Sequence, residues 1–196
     1  MSGLIEPNGA PPLYQLKITL KWSKPPIWRR LRVRADLRLN RLHELIQRVM
    51  PWTNSHLHQF IVGRTFFGVP DREGESMSLS ETLNEKKHTL AEIAPAAKKK
   101  FIYEYDFGDG WQHEVVVEKV LPPDPGFKHP VCLAGANACP PDDCGGIPGY
   151  YNLLAALANP KHPEHDDLKE WIGGKWDAAW FDLDDINDLL KRFKAY

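Results

Sequence analysis

Residues 101–120, Phe-Ile-Tyr-Glu-Tyr-Asp-Phe-Gly-Asp-Gly-Trp-Gln-His-Glu-Val-Val-Val-Glu-Lys-Val, decide how the chain is read. Phe101, Tyr103, Tyr105 and Phe107 alternate with Ile102, Glu104 and Asp106, which is the period-two pattern of a strand with one buried face. Asp109-Gly110 is a strong two-residue hairpin signal, and Val115–Val120 supplies the returning strand. A turn centred on those two residues predicts that Gly108 opposes Trp111, Phe107 opposes Gln112 and Asp106 opposes His113. The acid and the imidazole would then share one face, with Cβ atoms about 5 Å apart. Such a pair suits a general base, or a metal ligand held by a carboxylate. It equally suits an ordinary cross-strand pair that only stabilises the hairpin.

The flanking segments extend this hairpin into a sheet. Tyr14, Leu16, Ile18 and Leu20 alternate with polar residues, and after Pro25-Pro26 a second strand places Trp28, Arg30, Arg32 and Arg34 on the face opposite Leu31 and Val33. These two strands are expected to pair antiparallel. Asn40 is the expected N-cap of a helix over 41–50, with Leu42, Leu45, Ile46 and Val49 as its apolar stripe and Pro51 as its stop. Short strands are expected at His58–Val62 and Arg64–Phe67, a polar loop at Asp71–Ser80, and short helical turns around Leu83, Leu90 and Ile93. From Leu121 to Gly149 proline, glycine and cysteine dominate and predict a long ordered loop. Helices are expected over 150–157, 165–172 and from the Asp182 cap onward, the last with Ile186, Leu189, Leu190 and Phe193 facing inward. The fold class expected is α+β: a β-grasp-like antiparallel or mixed sheet with one packed helix, a long Cys/Pro/Gly loop and a helical C-terminal part. Residues 1–12 read as a disordered leader and 13–196 as a single domain.

Composition bounds the function. The 196 residues, 42% hydrophobic and 26% charged, suffice for a core without metal or disulfides. No run approaches the about 18 apolar residues of a membrane span, and the first residues lack the basic and apolar regions of a signal peptide. A cytoplasmic protein without membrane contact is expected. The net charge of −1 hides an asymmetry: residues 1–60 carry ten Lys/Arg against three Asp/Glu, and residues 101–160 carry two against eight. Mutual attraction of the two parts competes with a nucleic-acid role for the basic part. No phosphate-cradling glycine motif and no Gly-x-Ser-x-Gly elbow occurs.

Three further groups could carry chemistry. His129, Cys132, Cys139 and Cys144 lie within sixteen residues, and an imidazole with three thiolates completes a zinc tetrahedron. The alternatives are buried apolar cysteines or a Cys139–Cys144 disulfide. His56 and His58, two apart, would point the same way on a strand, and could converge with Asp106 and His113. Trp28, Arg30, Arg32 and Arg34 could stack on bases and neutralise phosphates, or form a solvated face.

Four segments, PPIWRR at 25–30, HLHQF at 56–60, YEYDFGDGWQHEV at 103–115 and CPPDDCGGIPGYYNLL at 139–154, together resemble the plasmid pRi-type Orf-three-like family, also labelled insertion-sequence passenger or TnpR-like proteins. The resemblance spans roughly residues 13–193. It implies an α+β fold, a prokaryotic home and an association with mobile elements, with no assigned activity. It also implies candidate site positions at Trp28, His58, Asp106, Asp109, Trp111, His113, Cys139, Gly145 and Gly146. Two functions follow as expectations: a binding or regulatory module without catalysis that holds a protein or nucleic acid, or a metal-dependent hydrolase-like enzyme built from His58, Asp106 and His113.

Overall fold

The computed structural model describes residues 9–70 and 82–195. Most of the expected leader and the Asp71–Ser80 loop lie outside the described residues. An α+β architecture is observed, with one eight-stranded sheet and a few helices. The strands are β1 (Leu13–Leu20), β2 (Trp28–Arg34), β3 (His58–Val62), β4 (Thr65–Gly68), β5 (Thr82–Asn84), β6 (Lys100–Tyr105), β7 (Trp111–Leu121) and β8 (Val131–Ala136). They lie in the order β5-β4-β3-β6-β7-β1-β2-β8. All neighbours are antiparallel except β4 and β5.

The period-two pattern of β1 and β2 becomes one buried and one wet face. Leu16, Ile18, Leu20, Leu31 and Val33 are buried, and helix α1 (Leu39–Val49) adds Leu39, Leu42, Leu45, Ile46 and Val49 to the same core. The helix begins earlier than Asn40 predicts. Arg38 occupies the N-cap without a side-chain bond, because the Leu39 N–H donates to the His88 carbonyl and the Leu42 N–H already donates to Arg38. A tertiary backbone contact therefore starts the helix in place of a capping side chain. The expected loop from 121 to 149 also holds structure: β8 pairs with β2, and helix α3 starts at Gly146 and runs to Ala158. Pairing with β2 overrides the turn-rich composition there. Leu83, expected on a helical turn, lies on β5, while Leu90 and Ile93 lie on helix α2 (Leu90–Ile93).

Helix α4 covers His165–Trp171, and helix α5, Leu183–Lys191, is capped by Asp182 as expected. Asn187 of α5 accepts from the Cys132 N–H at 2.9 Å and donates to the Cys132 carbonyl at 3.0 Å, so α5 satisfies part of the β8 edge. Among the described residues, no helix is long and apolar enough to cross a membrane.

Strand parity sends one arginine inward. Arg29 is 1% exposed and donates to the carbonyls of Val49 (2.9 Å), Trp28 (2.8 Å), Ala136 (3.0 Å) and Asn137 (3.0 Å), with its guanidinium over the Phe181 ring. It joins β2, the end of α1 and the end of β8. Burial lowers its pKa, and the ring of carbonyls satisfies its donors. Removing it leaves several buried acceptors unpaired. Arg29→Ala is therefore expected to lose about 3 kcal/mol or more of unfolding free energy in urea denaturation, and a loss below about 1 kcal/mol would contradict this role.

Candidate functional site

The reversal between β6 and β7 is wider than a two-residue turn. Tyr105 pairs with Trp111, Glu104 with Gln112 and Tyr103 with His113, so residues 106–110 form the connection. Asp106 has a left-handed backbone (φ 55°), its carbonyl accepts the Gly110 N–H at 2.7 Å, and its Oδ1 accepts the Gly108 N–H at 2.9 Å. The Asp106 N–H donates to Leu57 on the neighbouring loop at 2.8 Å. The expected facing of Asp106 and His113 is thus corrected. His113 pairs three residues further back along β6, and an odd displacement in a strand exchanges the faces.

His113 points into the core, fully buried, with Nδ1 3.1 Å from the Trp111 carbonyl and its ring beside Tyr103 and Trp52. Desolvation brings its pKa down to about 4. His58 lies 2.8 Å from the Glu85 carboxylate and stacks on His43 at 3.4 Å between ring centroids. His43 in turn meets the Tyr103 hydroxyl at 2.8 Å and Asn54 Oδ1 at 2.7 Å, and burial, followed by the neighbouring His58, lowers its pKa to about 4. His58, Asp106 and His113 therefore do not form the shared site expected of them. His58 and His56 do not chelate together either.

A different set does converge. Among the described residues, only His56, Asp106 and Asp143 form a group of three or more His/Cys/Asp/Glu with ligand atoms within 4.8 Å of one another. His56 Nε2 lies 3.7 Å from Asp106 Oδ2 and 3.2 Å from Asp143 Oδ1, yet this buried nitrogen lacks the geometry of a hydrogen bond. Asp106 is nearly buried, whereas the Asp143 side chain is 69% exposed, so the group opens to solvent on one side.

The three residues come from three loops that are tied together. Asp142 Oδ2 accepts from the Thr53 N–H at 2.8 Å and from its hydroxyl, joining the α1–β3 loop to the cysteine loop. Asp109 Oδ2 accepts the Gly145 N–H at 3.1 Å, joining the cysteine loop to the hairpin. At Gly146 (φ 67°) an added Cβ would stand 2.5 Å from the Asp109 carbonyl oxygen, so this glycine is required by close approach. The Tyr105 hydroxyl accepts the Ser55 N–H at 3.1 Å. Trp52 and Trp111, their rings 5.2 Å apart, lie beneath, and neither indole N–H has a partner among the described residues. Asn54, Asp106 and Asp143 all have positive φ, a conformation rare for non-glycine residues and concentrated at functional sites.

The other expected sites are arranged differently. His129, Cys132, Cys139 and Cys144 are not gathered into a ligand group. Cys132 and Cys139 are buried free thiols, Cys144 is a half-buried one, and His129 Nδ1 sits 3.0 Å from the Pro130 carbonyl. Burial raises all three thiol pKa values, that of Cys144 to about 12, so without a metal they rest as neutral thiols. Trp28, Arg30, Arg32 and Arg34 share the wet face as read. There Glu118, the extra residue at a bulge between β1 and β7, accepts from Arg30 at 2.7 and 2.9 Å. Arg34 pairs with Asp36, and Trp28 lies between Lys17 and Arg30.

A family model for plasmid pRiA4b ORF-3-like proteins matches residues 12–185. The chain belongs to that family. Within the plasmid pRiA4b ORF-3-like family it is similar to uncharacterized protein y4hQ of Sinorhizobium fredii, with 37% identity over 182 residues that cover 92% of each chain. It is also similar to the crystal structure of a protein of unknown function, MM3350, from Methanosarcina mazei Go1. That likeness has a TM-score of 0.76 and 35% identity, covering 90% of this chain and 97% of the other. In this member of the family, reading the residues missed Asp142 and Asp143 because acids in a proline- and cysteine-rich loop carry no periodic signal. The double positive-φ pair Gly145-Gly146 was the available hint.

The two buried histidines give the fold a pH dependence. His43 and His113 have folded pKa values of about 4 against an ordinary value of 6.5, so the unfolded chain binds more protons between those limits. Their stabilising contribution is complete above about pH 6.5 and is lost as pH falls toward about 4, by up to about 3 kcal/mol each. Denaturation midpoints should decline across that window, with a shallower decline in His113→Phe. An identical slope in the variant would contradict the assignment.

Proposed function

We propose that the junction of His56, Asp106 and Asp143 binds one divalent cation and that the protein is a metal-dependent binding module. The observation that carries this reading is a buried imidazole nitrogen without a hydrogen bond, facing two carboxylates from two other loops. Ligand bonds of about 2.0–2.2 Å separate neighbouring ligand atoms by roughly 3.0–3.6 Å, close to the 3.2 and 3.7 Å found here. One imidazole and two carboxylates form a borderline-to-hard donor set that suits Mn²⁺, Fe²⁺ or Zn²⁺. Three protein ligands leave coordination positions open on the solvent side, where an oxygen atom of a partner or small molecule can bind. As an ion pair alone the group would contribute little, because Asp143 is largely exposed.

Two features support binding over hydrolysis. Desolvation disfavours the charged form of His113, and His58 is engaged by Glu85, so the imidazoles once expected to move protons are placed elsewhere. The wet face of β1 and β2 supports the same reading by leaving a surface for a protein or nucleic-acid partner.

Chelator-stripped protein titrated with Mn²⁺ or Zn²⁺ should bind one equivalent and melt at a higher temperature. Asp106→Asn keeps the oxygen that accepts the Gly108 N–H, so the turn survives while the ligand charge is lost. That variant and Asp143→Asn should each weaken binding by roughly tenfold or more. Absence of stoichiometric binding, or equal affinity in both variants, would refute the site.

A further inference from the structure

At the other end of α1 lies a recess of about 530 Å³ that the metal junction does not use. Among the described residues its walls carry five cationic side chains, Arg34, Arg38, Arg41, Lys86 and Lys194, against a single carboxylate, Asp36. These come from the end of β2, the turn into α1, the 3-10 turn at Glu85–Lys87 and the C-terminal segment. We infer that this recess binds a small ligand bearing two or more phosphate groups.

Three observations carry the inference. First, two of the arginines are held in place through backbone carbonyls: Arg38 donates to the Lys86 carbonyl at 3.3 Å and Arg41 to that of Lys194. Carbonyl partners fix a guanidinium and leave its charge in place. Arg34 and Arg41 do meet carboxylates, Asp36 and Glu44, each at 2.5 Å, but the ammonium groups of Lys86 and Lys194 have no anionic partner among the described residues. Second, the acidic stretch of the chain does not reach this surface. Residues 101–160 supply Glu118 to Arg30 on the wet sheet face, and none of them lines the recess. The internal charge complementarity that explains the sheet face therefore leaves this cluster unexplained, and like charges held together cost free energy until an anion joins them.

Third, the shape and the lining select the ligand. The volume lies in the range of small-molecule sites, about 300–1,000 Å³. Among the described residues no aromatic side chain lines the recess, so these offer bases no stacking platform of the kind single-stranded nucleic acid uses. Arginine forks and lysine point charges together match clustered phosphate oxygens. The first turn of α1 adds to this, having neither an acidic residue nor a side-chain cap, so its positive end is not offset locally.

The test uses the full chain in the presence of a chelator, so that an ion at His56 cannot bridge to phosphate. Inorganic tripolyphosphate should bind in one-to-one ratio by calorimetry at low salt, more tightly than sulfate. Arg38, Lys86 and Lys194 are exposed, so Arg38→Gln, Lys86→Gln and Lys194→Gln should leave the melting temperature unchanged. Each should weaken tripolyphosphate about fivefold to tenfold, and the triple variant should abolish binding. Asp106→Asn should bind it as the unaltered protein does, which separates this inference from the metal site. Failure of tripolyphosphate to bind, or retention of affinity in the triple variant, would overturn the proposal. Tighter capture of a duplex DNA fragment, lost in the same triple variant, would overturn it in favour of a nucleic-acid backbone.

Discussion

The hydrogen bond from the Gly110 N–H to the Asp106 carbonyl closes a five-residue reversal, and the placement of nearly every polar group of interest depends on it. A tighter turn would shift β7 against β6 by an odd number of residues and exchange its faces. His113 would leave the core, Trp111 would lose its place against Trp52, and Asp106 would join the strand. With the observed register, the strand ends at Tyr105 and Asp106 is left free of the ladder. Its left-handed backbone then turns the carboxylate toward His56.

The three loops around that carboxylate are held by reciprocal polar contacts rather than by a core of their own. Thr53 is fixed by Asp142, Gly145 by Asp109, and Ser55 by the hydroxyl of Tyr105. Each loop thus borrows rigidity from a neighbour, and the last is anchored to a buried strand residue. Beneath them sits an aromatic floor with the neutral imidazoles of His43 and His113 packed into it. Burial explains why those imidazoles resist protonation, and the same burial assigns them to the framework. His56, at the rim, retains a ring nitrogen facing two acids.

Periodicity made the sheet legible in the sequence. β1 and β2 follow the alternation of Tyr14–Leu20 and Leu31–Val33, and α5 begins at the Asp182 cap that its acids and stripe announce. Where a contact distant in sequence decides the outcome, local signals misled. His88 starts α1 ahead of Asn40, pairing with β2 draws β8 out of a turn-rich segment, and the carboxylate of Asp106 caps its own turn in preference to the Asp109-Gly110 reversal. The candidate site was only half visible for the same reason. His56 and Asp106 lie in segments that patterning singles out, but Asp143 reaches them through a loop whose path is set by Thr53 and the double glycine. Arg29 shows the complementary case: its parity already placed it inward, and only the carbonyls gathered around it make that position tolerable.

The most direct test of this account is anomalous diffraction from crystals soaked in Mn²⁺. The arrangement predicts a peak within about 2.0–2.6 Å of His56 Nε2 and one oxygen each of Asp106 and Asp143. A map with no peak there, or with the ion seated among the cysteines instead, would contradict it.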